Sequence, residues 1–260
     1  MSNIHVPEFD YNALSETDKY IYDHYTVPYN VEVVYRWNQG DVSSDDMRKN
    51  LVPPRESQVE PFLEMIEKVW VDTYTAEVGQ QTLRSYIPKQ ILLVGSASYN
   101  DDGSTTEGTA EGGRQIVLYS VNDFNFTLEQ IQSYAHVMHH EFAHILHQNV
   151  EYDAEFEKIT PSYSSSWMQM NDETARTKGF ITAYASSSAD EEFAEMVTIM
   201  LTSSPEDWDN MIESAGNATA VEALRKKEAI VVAYMKNNWG VDMKDFQKEV
   251  VAAIEAAVRN

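Results

Sequence analysis

The residues in this chain best suited to chemistry lie in one run, His139-His140-Glu141-Phe142-Ala143-His144-Ile145-Leu146-His147, which contains His-Glu-x-x-His. On an α-helix His140 and His144 share one face, one turn apart. Two imidazoles so placed can hold one metal ion, and Glu141, beside the first, can reach a water on that ion. The pattern points to zinc-assisted hydrolysis, with His140 and His144 as ligands and Glu141 as the base. A lone histidine here would read as packing. Two of them, with a glutamate between on a periodic helix, favour metal.

A catalytic zinc takes three protein ligands and a water. His147 lies about 10 Å further along the helix than His140, His136 lies a turn early, and His139 points about 100° away. All three are expected to pack or to support the ligands. Val150 stands where the metzincin pattern would place its third histidine, which counts against that pattern. The better source is Asp190-Glu191-Glu192-Phe193-Ala194-Glu195. Glu191 and Glu195 are one helical turn apart. Glu191 could bind the metal, and Glu195 could accept a hydrogen bond from a ligand histidine and orient it. Glu192 competes with Glu191, and acidic residues at a helix start also occur simply as dipole partners. Tyr184 could stabilise an oxyanion, but spacing alone leaves it one of 15 tyrosines.

Several elements must position these groups. Thr127 and Gln130 read as a capping box, and Leu128, Ile131, Ala135, Met138, Phe142, Ile145 and Leu146 recur at helical spacing, predicting a largely buried helix from about Leu128 to Gln148. Ala189 to Leu201 predicts the helix of the glutamates. Strands are expected at Val31–Trp37, at Gln90–Val94, which is apolar on both faces and so central, and at Arg114–Ser120. The last of these either forms the edge of a cleft, where an extended peptide adds by backbone pairing, or is an ordinary core strand. Helical stretches are also expected at Asp18–His24, from Val59 to Val71, from Ala76 to Arg84, at Ser44–Lys49 for one turn, and at Thr219–Asn237 and Asp242–Val258. Gly108 to Gly113 reads as a glycine-rich loop without phosphate-loop spacing. Tyr99 to Gly103 reads as a turn that lacks the later ligands of a calcium loop. The polar stretch from Glu151 to Lys178 reads as a loop lining or covering something.

The formal net charge of -23 argues against nucleic-acid binding and disfavours docking on anionic lipid. There is no cysteine, so a metal must use His, Asp or Glu. No apolar run is long enough to span a membrane, and Met1 opens a polar segment without a signal-peptide pattern. A chain of 260 residues can bury a sizeable core. We expect one domain over 1–260, with an upper part of about 20–150 holding the sheet and zinc-motif helix and a mainly helical lower part of about 151–260.

From about Tyr20 through the Glu191 helix, the chain resembles the zinc-binding metallopeptidases of Bacteroidetes known as substrate import-associated zinc metallohydrolase lipoproteins. The resemblance rests on Pro28-Tyr29-Asn30-Val31-Glu32, Leu51-Val52-Pro53-Pro54, Pro88-Lys89-Gln90, Gly108-Thr109-Ala110-Glu111-Gly112-Gly113-Arg114, His139 to Gln148 and Gly179-Phe180-Ile181-Thr182-Ala183-Tyr184-Ala185. More distantly, Tyr184 with Glu191 to Glu195 is similar to a segment of the anthrax lethal factor protease. There the first glutamate binds zinc and the tyrosine assists catalysis. The resemblance implies an α+β, zincin-like fold of the gluzincin kind, one Zn2+ per chain on His140, His144 and Glu191, Glu141 and Tyr184 as catalytic residues, and Glu195 behind a ligand histidine. It implies a peptide or protein substrate, and an exported, outer-membrane-anchored or periplasmic lipoprotein beside nutrient-uptake proteins. The chain as given carries neither signal nor anchor cysteine, for which trimming is the simplest account. Two other readings stand beside the peptidase: a non-catalytic, zinc-stabilised surface protein assisting glycan or peptide capture, with a fourth ligand such as His147 closing the site, and an amidase or other non-peptide hydrolase.

Overall fold

Short apolar runs bounded by turn residues build the sheet. The computed structural model describes residues 9–38, 49–100, 105–111 and 114–259. Its strands are β1 (Glu32–Val34), β2 (Gln90–Leu93), β3 (Ser98–Tyr99), β4 (Thr105–Thr106), β5 (Gly108–Glu111) and β6 (Gln115–Leu118). The main sheet has the order β1-β2-β6-β5, and β3 and β4 form a separate antiparallel pair. β1, β2 and β6 are parallel, with Ile91 aligned to Val33 on one side and to Ile116 on the other. β5 runs antiparallel to β6. As predicted, β2 is central and apolar on both faces. Ile91, Leu93, Ile116 and Leu118 face the main core, while Leu92 and Val117 pack on the opposite face with Trp37, Leu51 and Tyr119.

Several expectations change. The strand over Val31–Trp37 pairs only through Glu32–Val34, although Tyr35 and Trp37 stay buried and the Trp37 indole donates to the Leu93 carbonyl at 2.8 Å. The strand over Arg114–Ser120 closes at Leu118, and Ser120 turns the chain with a left-handed φ of 59°. This strand is interior rather than the edge of a cleft. That place belongs to β5, inside the stretch read as a glycine-rich loop. A Cβ on Gly108 would lie 2.5 Å from Val137 Cγ1, so glycine is what lets this edge approach the long helix. Gly112, Gly113, Asp101 to Gly103 and most of the turn proposed at Ser44–Lys49 lie outside the described residues.

The helices are α1 (Glu16–Ile21), α2 (Val27–Tyr29), α3 (Glu56–Ile66), α4 (Asp72–Val78), α5 (Gln80–Tyr86), α6 (Leu128–Asn149), α7 (Glu155–Ile159), α8 (Asp172–Thr177), α9 (Ala189–Thr202), α10 (Pro205–Glu213), α11 (Ala218–Tyr234) and α12 (Met243–Ala257). The stripe read over Val59–Val71 is α3 and the π-turn Glu67–Val71, and it continues directly into α4. The break comes at Gly79, with φ 79°, so the helix expected over Ala76–Arg84 is split there. α10 has no counterpart among the expected helices. It starts on a Ser204 cap with Pro205 at its first position.

α6 follows its predicted span. Thr127 Oγ1 accepts the Gln130 N–H at 3.3 Å, and Gln130 Oε1 accepts the N–H of Asn125 rather than that of Thr127. Ile131, Ala135, Met138, Phe142, Ile145 and Leu146 face the core. α9 packs along α6, and α12 packs against both. The result is the expected mixed α+β arrangement of a small sheet on the histidine-bearing helix, followed by a mainly helical remainder. Among the described residues no helix is long and apolar enough to cross a membrane.

Candidate metal centre

α6 presents His140 and His144 on one face, and α9 places Glu191 opposite them. The start of α9 is set by Ser188, whose Oγ accepts the Glu191 N–H at 3.3 Å. His140 Nε2 and His144 Nε2 lie 3.1 Å apart, and Glu191 Oε2 stands 3.0 Å from the first and 3.1 Å from the second. Donors about 2.0–2.1 Å from a tetrahedral zinc stand roughly 3.3 Å apart, so this near-equilateral triangle has the spacing to hold one. Two imidazole nitrogens and a carboxylate oxygen also suit zinc chemically. The triangle opens on a cleft of about 660 Å³ whose walls include Gly108 and Thr109 of β5, Glu141 and Tyr184.

Electrostatics follow from this crowding. Burial alone would lower the His140 imidazole, but Glu191 and Glu195 lift it to about 9. Burial alone would raise Glu191, yet the two histidines hold it well below the usual carboxylate range. The protein thus keeps a proton among three groups that share one small space. Glu141 is half-buried at the cleft. Burial pushes its carboxyl upward against the pull of His140 and His144, which makes it a better proton acceptor than an exposed glutamate.

Residues 11–244 match the family described as "Putative zinc-binding metallo-peptidase". The chain belongs to this family. Over 94% of its length it is 32% identical to a "putative zinc-binding metallo-peptidase" from Bacteroides caccae, whose crystal structure it overlays across 95% of that chain with a TM-score of 0.80. No curated protein matches it.

In this member of the family the groups behind the triangle differ on its two sides. Glu195 Oε1 lies 2.9 Å from His140 Nδ1 and 2.9 Å from His136 Nε2. Both are short electrostatic contacts rather than aligned hydrogen bonds. Glu195 is anchored through its other oxygen, which accepts from the Thr182 hydroxyl at 2.7 Å, and that hydroxyl accepts the Ala185 N–H at 3.0 Å. Behind His144, Nδ1 meets His147 Nε2 at 2.9 Å. His139 is packed away as expected, with its Nε2 3.2 Å from the Val69 carbonyl, and burial lowers it to about 3.

Glu192, the rival of Glu191, faces the other way. Its carboxylate pairs with the fully buried Lys227 ammonium and accepts from the Tyr163 hydroxyl at 2.8 Å. Lys227 also donates to Thr160 Oγ1 and, at 2.8 Å, to the Gly179 carbonyl, and it sits 4.7 Å from the centroid of Phe180. This cluster ties α9 and α11 to the segment that leads to Tyr184. The Tyr184 ring lies 5.9 Å from His140, braced edge-on by Trp167 at 4.9 Å. Burial and the nearby Glu191 carboxylate keep its phenol protonated well above the ordinary range. The stretch Glu151–Lys178, read as a loop, therefore supports the tyrosine through the single turn Trp167–Gln169 and also contains α7 and α8. Sequence reasoning missed Thr182, Lys227 and Trp167. Thr182 lies inside a segment that carried the family resemblance. A lysine on an amphipathic helix and a tryptophan in a polar stretch carry no comparable signal.

Proposed function

We propose that this chain is a zinc-dependent metallopeptidase in which His140, His144 and Glu191 hold one zinc ion and Glu141 acts as the base. Bound there, zinc would supply Lewis-acid polarisation of a carbonyl and acidification of water. Glu141 takes a proton from the attacking water and passes it to the departing amine. Tyr184, which stays protonated, donates to the developing oxyanion. Glu195, held by Thr182, keeps His140 oriented. β5, the outer strand of the described sheet on the cleft side, offers its edge to an extended peptide, whose backbone would continue the pairing.

The observation that carries the reading is the triangle of His140 Nε2, His144 Nε2 and Glu191 Oε2 with Glu141 on the same cleft. A closed, purely structural site is less well supported, because His147 turns its near nitrogen to His144 Nδ1 and not toward the triangle. By family resemblance we extend the proposal to an exported, lipid-anchored protein working beside an outer-membrane uptake system. Fractionation of cells expressing the native gene tests that extension.

The test of the central reading is metal content and cleavage of a mixed peptide library by wild type, Glu141→Gln and Glu191→Ala. We expect one zinc per chain in wild type. Glu141→Gln should keep the zinc and lose cleavage by a factor on the order of 10²–10⁴. Glu191→Ala should lose the zinc. Wild type that takes up no zinc would overturn the proposal. Zinc uptake with no peptide cut would leave the metal centre standing and redirect the search to non-peptide carbonyl substrates.

A further inference from the structure

The two ligand histidines are backed by different chemistry. Behind His140 stands a carboxylate, Glu195. Behind His144 stands a second imidazole, His147, buried at 6% exposure. Resting on the metal reading above, we infer that His147 is the positioning residue that fixes the ring and tautomer of His144. A ligand histidine must present a lone pair to the ion. His144 points Nε2 into the donor triangle, so as a neutral ring it carries its proton on Nδ1. That N–H needs an acceptor, and His147 Nε2 is 2.9 Å away. His147 therefore has its own lone pair on Nε2 and its proton on Nδ1.

The rest of the surroundings agree with that assignment. His147 Nδ1 faces Asp190 Oδ1 at 4.0 Å, and the negative carboxylate favours a proton on that side of the neutral ring. Asp190 is held by the Tyr152 hydroxyl at 2.7 Å. The imidazole is gripped edge-on by Tyr152 at 5.5 Å and Phe193 at 5.9 Å, and those two rings stack on each other at 4.4 Å. His147 cannot swing toward the ion without leaving this aromatic slot. A neutral acceptor orients His144 without adding negative charge beside the ion, whereas Glu195 does both for His140. His147 is thus neither a fourth ligand nor a bystander in the core.

Zinc affinity, measured by chelator competition, reads this role directly, and the visible spectrum of the cobalt-substituted protein reads the ligand geometry. His147→Leu keeps much of the volume and removes the acceptor. It should weaken zinc binding about 10–100-fold and alter the cobalt spectrum, while far-UV circular dichroism of the metal-free protein stays unchanged. His147→Gln, which can offer an oxygen in the same place, should recover most of the loss. Nitrogen-15 spectra of zinc-loaded wild type should show His147 protonated on Nδ1, a readout that does not depend on any variant folding. Wild-type affinity and cobalt spectrum in His147→Leu, or His147 protonated on Nε2 in the loaded protein, would overturn the inference and leave the three-ligand site intact. Wild type without zinc would overturn both.

Discussion

Glu191 and Glu192 are neighbours on α9 and open onto two clusters that solve the same problem differently. The Glu192 side is sealed. Glu192 and Lys227 are both fully buried, and the ammonium is surrounded by Thr160, the Gly179 carbonyl and the face of Phe180. Every charge there has its counter-charge within the chain. The Glu191 side borders the cleft and gathers two imidazole nitrogens and a carboxylate oxygen at about 3 Å, with no lysine or arginine among the described residues that line the cleft. Lone pairs brought that close are favourable only around a proton or a metal ion. A cluster that supplies its own cation is architecture; one that converges donors and leaves the cation to be supplied has the arrangement a metal site requires.

The sharpest way to break this comparison is to remove the cation from the sealed side. Lys227→Met should cost about 3–5 kcal/mol of folding stability, because it strands a buried carboxylate. Zinc uptake by the folded protein should equal that of wild type. Pairing it with Glu192→Leu should restore most of the stability, since an apolar pair needs no counter-charge. Glu191→Gln should behave in the opposite way. It should cost the metal-free protein less than Lys227→Met does, because the partly exposed carboxylate gives up only its contacts with His140 and His144, and it should abolish the stabilisation by zinc, which is about 4 kcal/mol when zinc stands a thousandfold above its dissociation constant. Denaturant unfolding of the four proteins with and without zinc measures all of this. A Lys227→Met protein as stable as wild type, or one that fails to take up zinc, would show that the two clusters are not separable.

A second difference between the clusters should appear with pH. In the metal-free protein His140 is raised from 6.5 to about 9. A raised folded-state value contributes stability that is complete below the unfolded value and lost as pH climbs through the folded one. The metal-free protein should therefore lose stability between about pH 6.5 and 9. Glu191 and Glu195 are lowered, so their contribution is present above the usual carboxylate range and is lost on acidification. With zinc in place the proton on His140 is displaced and the alkaline loss should vanish, because metal affinity rises as ligands deprotonate. Unfolding free energies near pH 6 and pH 9, with and without zinc, decide it. Parallel curves would mean that His140 carries no such proton.

The same contrasts separate what is legible in the sequence from what only packing decides. α6 and α9 can be read because periodicity and caps are local: Thr127 and Ser188 start them, and His140, His144 and Glu191 follow at fixed spacing. The choice of Glu191 over Glu192 is not a local matter. Adjacent residues at a helix start look alike until Lys227, 35 positions later, claims one of them. The resemblance to a known family makes that choice, and the fold supplies its cause. β5 is hidden because a glycine-rich run reads as a loop; it is a strand because it pairs with β6, and it needs a glycine at 108 because Val137 of α6 lies against it. Likewise His147 can be set aside as a ligand from helix geometry, but its tie to Asp190 and Tyr152 depends on packing that no spacing reports.

The smallest effect expected is at Thr182, and it probes how tightly Tyr184 is linked to the side of the donor triangle. One hydroxyl donates to Glu195 and accepts from the Ala185 amide, so it joins the turn bearing Tyr184 to the carboxylate behind His140. Thr182→Val preserves the branched shape and deletes both bonds. Hydrogen bonds to charged groups contribute about 1.5–3 kcal/mol, and Glu195 keeps its two histidine contacts, so a stability loss of about 1–2 kcal/mol is expected. Zinc affinity should fall by less than roughly tenfold, below the range for losing an outer partner outright. Turnover should fall further than affinity, because the Tyr184 turn loosens while His140 remains oriented by Glu195. Thr182→Ser, which restores the hydroxyl, should recover both. If turnover and affinity instead fell by the same factor, Thr182 would be acting through the metal alone, and Tyr184 would be held at the centre by its own contacts with His140 and Trp167.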